Sequence, residues 1–273
     1  MSLRINTNVA ALNSYNNLSK NQVSLENSFQ QLSSGLRINK AADDAAGLSI
    51  AAGLTSQING LTQAVSNAND AINVAQIADG AMGTAQDVLQ RMRTLAVKAA
   101  NEGTQDTDSW AAIQAEITTL NSQLDNIGSQ TKFGQTPLLD GTYDKKFQIG
   151  ADSTDQIGLT LSTAITSAGL GTDGINITDL ATASAAIDTI STAIGTVSTA
   201  RSGVGAVQNQ LNYTVTNLQT AITNVTASRS NLTDADLAQQ VTQMTQSQIL
   251  TQAATSVLAQ ANSAPQAILK LLQ

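Results

Sequence analysis

Asp43-Asp44 is the side-chain pair with the clearest capacity for chemistry. Adjacent carboxylates can share acid–base work or hold a divalent cation. Neither use has support in this chain. It contains no His and no Cys, which removes imidazole proton transfer, thiol nucleophiles, disulfides and Cys-ligated metal. No third ligand accompanies the pair, so neither catalysis nor a cofactor or metal site is expected. What remains is capping, because an Asp ahead of a helix accepts first-turn N–H groups that have no other partner. Gln22, Arg201 and Gln208 also stand out, since each interrupts an apolar helical stripe. Such a residue either pins the register of packed helices or subunits, or lies at a helix edge and snorkels to water. The sequence leaves both readings open.

Composition narrows the class further. The chain has 273 residues, 12% of them charged, with a net charge of -7. An acidic chain without a basic cluster is a poor ligand for nucleic acid, where phosphate binding needs concentrated Lys and Arg. Aromatics are 3%, low for a compact core and suited to long helices in thin bundles. Met1-Ser2-Leu3-Arg4-Ile5-Asn6 has no apolar run behind its Arg, so a cleavable secretory signal is not expected. Nor is a membrane span expected. Export would then use a route that cleaves no signal.

Two matching helical ends dominate the pattern. Ala11, Tyr15, Leu18, Gln22, Leu25, Phe29, Leu32 and Leu36 follow each other at steps of four and three. Leu250, Ala254, Val257, Ala261, Ala264, Ile268 and Leu271 do the same. A narrow stripe of this kind buries itself against another helix. Pro265 lies inside the second stripe and predicts a kink there, or an extended Ala264.

Between these ends the spacing predicts long helices. One runs over about 44–100, with an irregularity near Gly80 and Gly83, where the stripe Leu54, Ile58, Leu61, Val65, Ala68, Ile72, Ala75 gives way to a shifted one from Ile77 and Ala81 to Ala99. A shorter helix carries Trp110, Ile113, Ile117, Leu120, Leu124 and Ile127, and Gly128 is expected to end it. Residues 130–178 are punctuated by Gly, Pro and Asp and contain two alternating runs, 146–149 and 156–161, so a β-rich tip of about two hairpins is expected. A helix returns from 178 to 232 in one register, and Asp234 is expected to cap the last helix. The fold class is mostly α: a long-helix bundle with an antiparallel terminal coiled coil and a small β-hairpin tip. The break at 39–44 should lie beside the break at 230–234.

The residues at the ends of this layout closely resemble the bacterial flagellin family. Ile5-Asn6-Thr7-Asn8 matches the family's opening. Gln31-Leu32-Ser33-Ser34-Gly35-Leu36-Arg37-Ile38-Asn39 and Ala41-Ala42-Asp43-Asp44-Ala45-Ala46-Gly47-Leu48 match its first conserved-looking arm. Leu89-Gln90-Arg91-Met92-Arg93-Thr94-Leu95-Ala96 looks like its spoke helix, although Thr94 stands where the family often has Glu. Ala200-Arg201, Gly205-Ala206-Val207-Gln208-Asn209 and the tail from Gln248 to Leu272 resemble the returning arm. The resemblance covers nearly all of the chain and leaves no room for large outer variable domains.

It implies a structural subunit that self-assembles into the extracellular flagellar filament for motility, with a hook–filament junction protein as the alternative. The family's inserted zinc protease is excluded here, since its motif needs His. Residues 1–43 with 233–273 would form the inner coiled-coil domain, and 44–232 the spoke. Leu18, Leu25, Phe29, Leu32, Leu36, Leu250, Val257, Ile268 and Leu271 would form the assembly seam. Arg91, Leu95 and Glu116 would form a spoke interface and the contact for an animal Toll-like receptor, with assembly as the primary role. The implied partners are other copies, an export chaperone on the C-terminal helix, and cap and hook-junction proteins, with no nucleic acid and no membrane. The implied export route is type III. Free terminal arms would stay disordered until assembly, because isolated narrow-striped helices are marginal. The Ser/Thr-rich stretch 151–184 would either carry O-linked sugars, as exposed flagellin tips often do, or be an unmodified polar loop.

Overall fold

The computed structural model describes residues 7–271, with side chains as far as 264. Ile5 and Asn6, and the side chains of Pro265, Ile268 and Leu271, lie outside the described residues. In chain order the elements are α1 (Val9–Ser34), α2 (Ala45–Ala99), α3 (Thr107–Gln130), β1 (Lys132–Phe133), β2 (Thr136–Pro137), β3 (Tyr143–Gln148), β4 (Gln156–Leu161), α4 (Leu180–Thr233) and α5 (Leu237–Leu271). A single 3-10 turn, Glu102–Thr104, precedes α3. Two compact units result: Met1–Ser56 with Asn224–Gln273, and Gln57–Thr223.

In the second unit α2 runs through Gly80 and Gly83 without interruption, contrary to the expected irregularity. Its buried face explains why. Leu61, Ala64, Ala68, Ala71, Ala75, Ala78, Met82, Ala85, Leu89, Met92, Ala96 and Ala99 are all buried, and their spacing never leaves the 3-and-4 rhythm. The apparent change of register comes from counting Ile77, which is 42% exposed and lies off this face. The true seam is largely alanine, which lets helix axes approach closely. Ala183, Ala186, Ile190, Ala193, Val197, Val204 and Leu211 form the facing stripe on α4, in the expected register.

Ile113, Ile117 and Leu124 fix α3 to this core, with Trp110 half-buried beside them. The indole Nε1 donates to the Ala99 carbonyl at 2.9 Å, satisfying one of the orphan acceptors at the end of α2. Gly128 does not end α3, which continues to Gln130. A Cβ on Gly128 would come within 2.7 Å of Thr166 Cγ2 and closer still to the Ile165 carbonyl. The glycine serves close approach, not a cap.

The tip contains two antiparallel hairpins, β1–β2 and β3–β4, as expected. In the second, Tyr143 pairs with Leu161 and Gln148 with Gln156. Ile157, Leu159 and Leu161 alternate inward. The segment after β4 has no regular structure but is held by α3. Asp125 accepts the Ser167 N–H at 2.8 Å, Asn121 exchanges hydrogen bonds with Thr172, and Gln114 pairs with Ile175 and Ile177. Ser167 and Thr172 are buried, so these hydroxyls cannot carry sugar.

In the first unit α1 ends at Gly35, whose φ of 71° is left-handed, a conformation open chiefly to glycine. Leu36 then bridges Asp234 in antiparallel fashion. Arg37 N–H donates to the Thr233 carbonyl at 2.7 Å, and Ala235 N–H to Gly35 at 2.9 Å. The two breaks therefore lie side by side, as their symmetry predicted. Asp234 is not the cap of α5. That role falls to Asp236, which accepts from the Ala238 and Gln239 N–H groups, while Asp234 receives the Ser230 and Thr233 hydroxyls. The helical assignment of α5 passes through Ala264 and Pro265, so Ala264 is not extended.

Candidate interaction surface

Asp43 and Asp44 divide the work of the break. Asp44 caps α2, accepting the Gly47 N–H at 2.9 Å. Asp43 accepts from Asn39 at 3.0 Å and Lys40 at 2.9 Å, and these backbone donors hold its carboxyl below the ordinary range. Among the described residues no cluster of three or more Asp, Glu, His or Cys is placed to hold a metal ion.

α1 and α5 pair antiparallel. Asn8 Nδ2 donates to the Ala261 carbonyl at 2.8 Å, and Ser24 Oγ meets Ser247 Oγ at 3.2 Å. Most of the seam between them is small and polar. Ser28 and Ser247 are buried, and Ser14, Ser24, Thr251, Ala254 and Ala261 are half-buried. Leu18, Leu25, Leu32 and Leu36 are half-buried alongside. The buried hydroxyls turn back to their own helices, Ser28 to the Ser24 carbonyl and Thr251 to Ser247. The apolar stripes contain Leu18, Leu25, Leu32, Leu36, Ala254 and Ala261 of this seam but not its hydroxyl residues, whose signal was the spacing of Ser and Thr at 24, 28, 247 and 251.

A second set of large apolar side chains is exposed instead. Val9, Leu12, Tyr15, Val23 and Phe29 on α1, and Leu237, Val241, Ile249, Leu250 and Val257 on α5, are between 44% and 61% exposed. Phe29, Leu250 and Val257 thus line the outer surface of this unit. The only hydrophobic residues of this unit that are buried, among those described, are Ile38 and Ala51. No charged residue stands between Asp236 and Lys270.

In the second unit Arg91 Nη2 lies 2.7 Å from Glu116 Oε1, with both side chains about half exposed. A surface here is formed by Arg91 and Glu116, and Leu95, 5% exposed, belongs to the core rather than to that surface. Arg201 donates to Asp79 and Gln86 on α2, both at 2.8 Å, and so pins two helices. Gln22 is exposed, at the helix edge, and Gln208 is half-buried. One stretch of α4 reaches a mean hydropathy of 1.2, enough by length and composition to cross a bilayer. Its Ala183, Ile190 and Val197 are instead buried in the core with α2.

Comparison with known proteins decides what these paired helices are. The bacterial flagellin N-terminal helical region matches residues 5–144, and the C-terminal helical region matches 187–272. Flagellin of Bacillus subtilis (strain 168) is 37% identical over 99% of this chain and 100% of its own length. The chain belongs to the bacterial flagellin family.

Like other flagellins it is a structural subunit without enzymatic activity, located in the extracellular flagellar filament, where it polymerises with its own copies. The two family regions leave only residues 145–186 between them, which marks a short form. The crystal structure of Bacillus cereus flagellin is similar at a TM-score of 0.50, with 31% identity over 56% of this chain and 88% of that one. A flagellar hook-associated protein from Vibrio parahaemolyticus is similar at a TM-score of 0.59, covering 70% of this chain and 100% of that one. At 11% identity that likeness shows the fold alone.

Proposed function

We propose that α1 and α5 are the polymerising module of this flagellin. They pair within the chain through the small polar seam, and their outer apolar faces are completed by neighbouring copies. One observation carries this reading: the first unit exposes Phe29, Ile249, Leu250 and Val257 while burying almost no large apolar side chain of its own. Apolar surface that is left unburied contributes about 25 cal/mol per Å2 when a partner covers it. Residues 1–43 with 233–273 act as this module, and 44–232 act as the spoke. Leu18, Leu25, Leu32 and Leu36 support the pairing of α1 with α5, and Ile268 and Leu271 extend the seam of α5. In the free subunit the two arms stay largely unfolded, which suits threading through a type III export channel. An export chaperone covers α5 beforehand, and the cap and hook-junction proteins meet the same faces.

Arg91 and Glu116 serve first as a contact between spokes. A host Toll-like receptor reads the same surface secondarily. Seeding on filament fragments tests the assembly reading. Wild type elongates the seeds into long homopolymers, and Leu250→Asp with Val257→Asp does not. Normal elongation by that variant contradicts the reading.

A further inference from the structure

Arg201 spans a weak point in the paired long helices. Its two acceptors, Asp79 and Gln86, lie two turns apart on one face of α2. Gly80 and Gly83 fall between them. Nothing lies within 4 Å of where a Cβ on Gly80 would sit, and at Gly83 the nearest atoms are those of the Arg201 guanidinium at 3.8 Å and beyond, an ordinary contact. Neither glycine is required by packing. On α4, Gly203 and Gly205 follow Arg201 closely, and a Cβ at either position would likewise meet nothing within 4 Å. Glycine is the poorest helix former except proline, so both helices are weakened where Arg201 joins them.

The helix-to-helix contact beneath rests on small residues. Ala78, Ala85 and Ala200 offer little apolar area, and Met82 is the one long apolar side chain that α2 buries there, unbranched and readily repacked. A partly open groove of about 300 Å3 adjoins the same segment, lined by Met82, Leu139, Leu161, Gly203, Val204 and Val207. The segment is therefore not closed over on that side.

We propose that residues 79–86 of α2 and 201–205 of α4 form a hinge in the paired long helices, and that the Arg201 clamp is the splint that keeps it closed. The guanidinium suits this role because its planar fork reaches two acceptors at once. Asp79 and Gln86 cannot separate or rotate apart while both bonds hold. Without the clamp the glycine segment opens locally on the side of the adjoining groove, and the rest of the core stays folded.

Amide hydrogen exchange of the full-length chain tests this. Arg201→Gln should speed exchange at least tenfold at 79–87 and 199–207, with no change at 107–130 in α3. Adding Gly80→Ala and Gly83→Ala should restore slow exchange, since alanine strengthens the helix without a clash. Arg201→Lys keeps the charge but gives a single-point donor, and should fall between wild type and Arg201→Gln. An unchanged exchange pattern in both Arg201 variants overturns the proposal. So does a rise spread equally over α3, or a rise that the alanines do not reverse.

Discussion

Asp106 and Asp179 show how much of this fold is set by single carboxylates. Asp106 caps α3 by accepting the Ser109 N–H, and Asp179 accepts the Thr182 N–H ahead of α4. Hydrogen bonds from Ser109, first from its side chain and then its backbone, lower the Asp106 pKa, and those from Thr182, first backbone and then side chain, lower that of Asp179. A carboxyl with a lowered folded pKa contributes stability in full above its unfolded value, about 3.9. That contribution is lost as pH falls through the folded value. Asn caps as well as Asp but does not titrate. Asp106→Asn with Asp179→Asn should therefore flatten the fall of the urea midpoint below about pH 4, and a curve as steep as wild type contradicts this. Glycines divide by their surroundings. Gly128→Ala drives a methyl into the Ile165 carbonyl and should cost about 1–3 kcal/mol, read as a lowered urea midpoint. Residue types were legible at this scale, but positions were less so. Acidic caps were foreseen at both breaks, yet Asp236, the residue just before α5, caps it, while the Asp234 carboxylate takes the Ser230 and Thr233 hydroxyls.

At the scale of elements, the long helices and both hairpins were legible from period alone, while the seams between helices were less so. Sequence reading weights large side chains. The contacts here are built on Ala64, Ala68, Ala71 and Ala78 in α2, and on Ser28 and Ser247 between α1 and α5. Small residues bring axes together and push the large ones outward, so a stripe of large residues marks a surface for other partners as readily as an internal seam. Ala78→Leu should accordingly cost about 1–3 kcal/mol by overpacking, measured by urea unfolding. Substitutions on the outer stripe have the opposite signature. Leu250→Asp with Val257→Asp should leave unfolding of the second unit unchanged. Burying their charges between copies should raise the critical concentration for assembly more than a hundredfold, or about 3 kcal/mol. Sedimentation of polymer against total protein reads this directly.

At the scale of the whole molecule, the two units differ in what completes them. Gln57–Thr223 has a continuous core from Val74 to Val204. The unit formed by the two chain ends has exposed apolar helices and an α5 without charge between Asp236 and Lys270. Assembly through such faces depends on apolar burial more than on ion pairs. Sulfate should therefore promote polymerisation by strengthening burial, and sodium chloride from about 0.05 to 0.3 M should change it little, because few surface charges are there to be screened. The sequence carried this division through its matching ends and the punctuation at 39–44 and 230–234. It did not carry which face of each end meets its own chain, since that depends on the small polar seam. Amide hydrogen exchange of monomer against filament is the most direct test. We predict weak protection of 9–36 and 245–264 in the monomer and strong protection of both in the filament, with 61–99 strongly protected in each. Strong protection of the two terminal segments in the monomer would contradict the account.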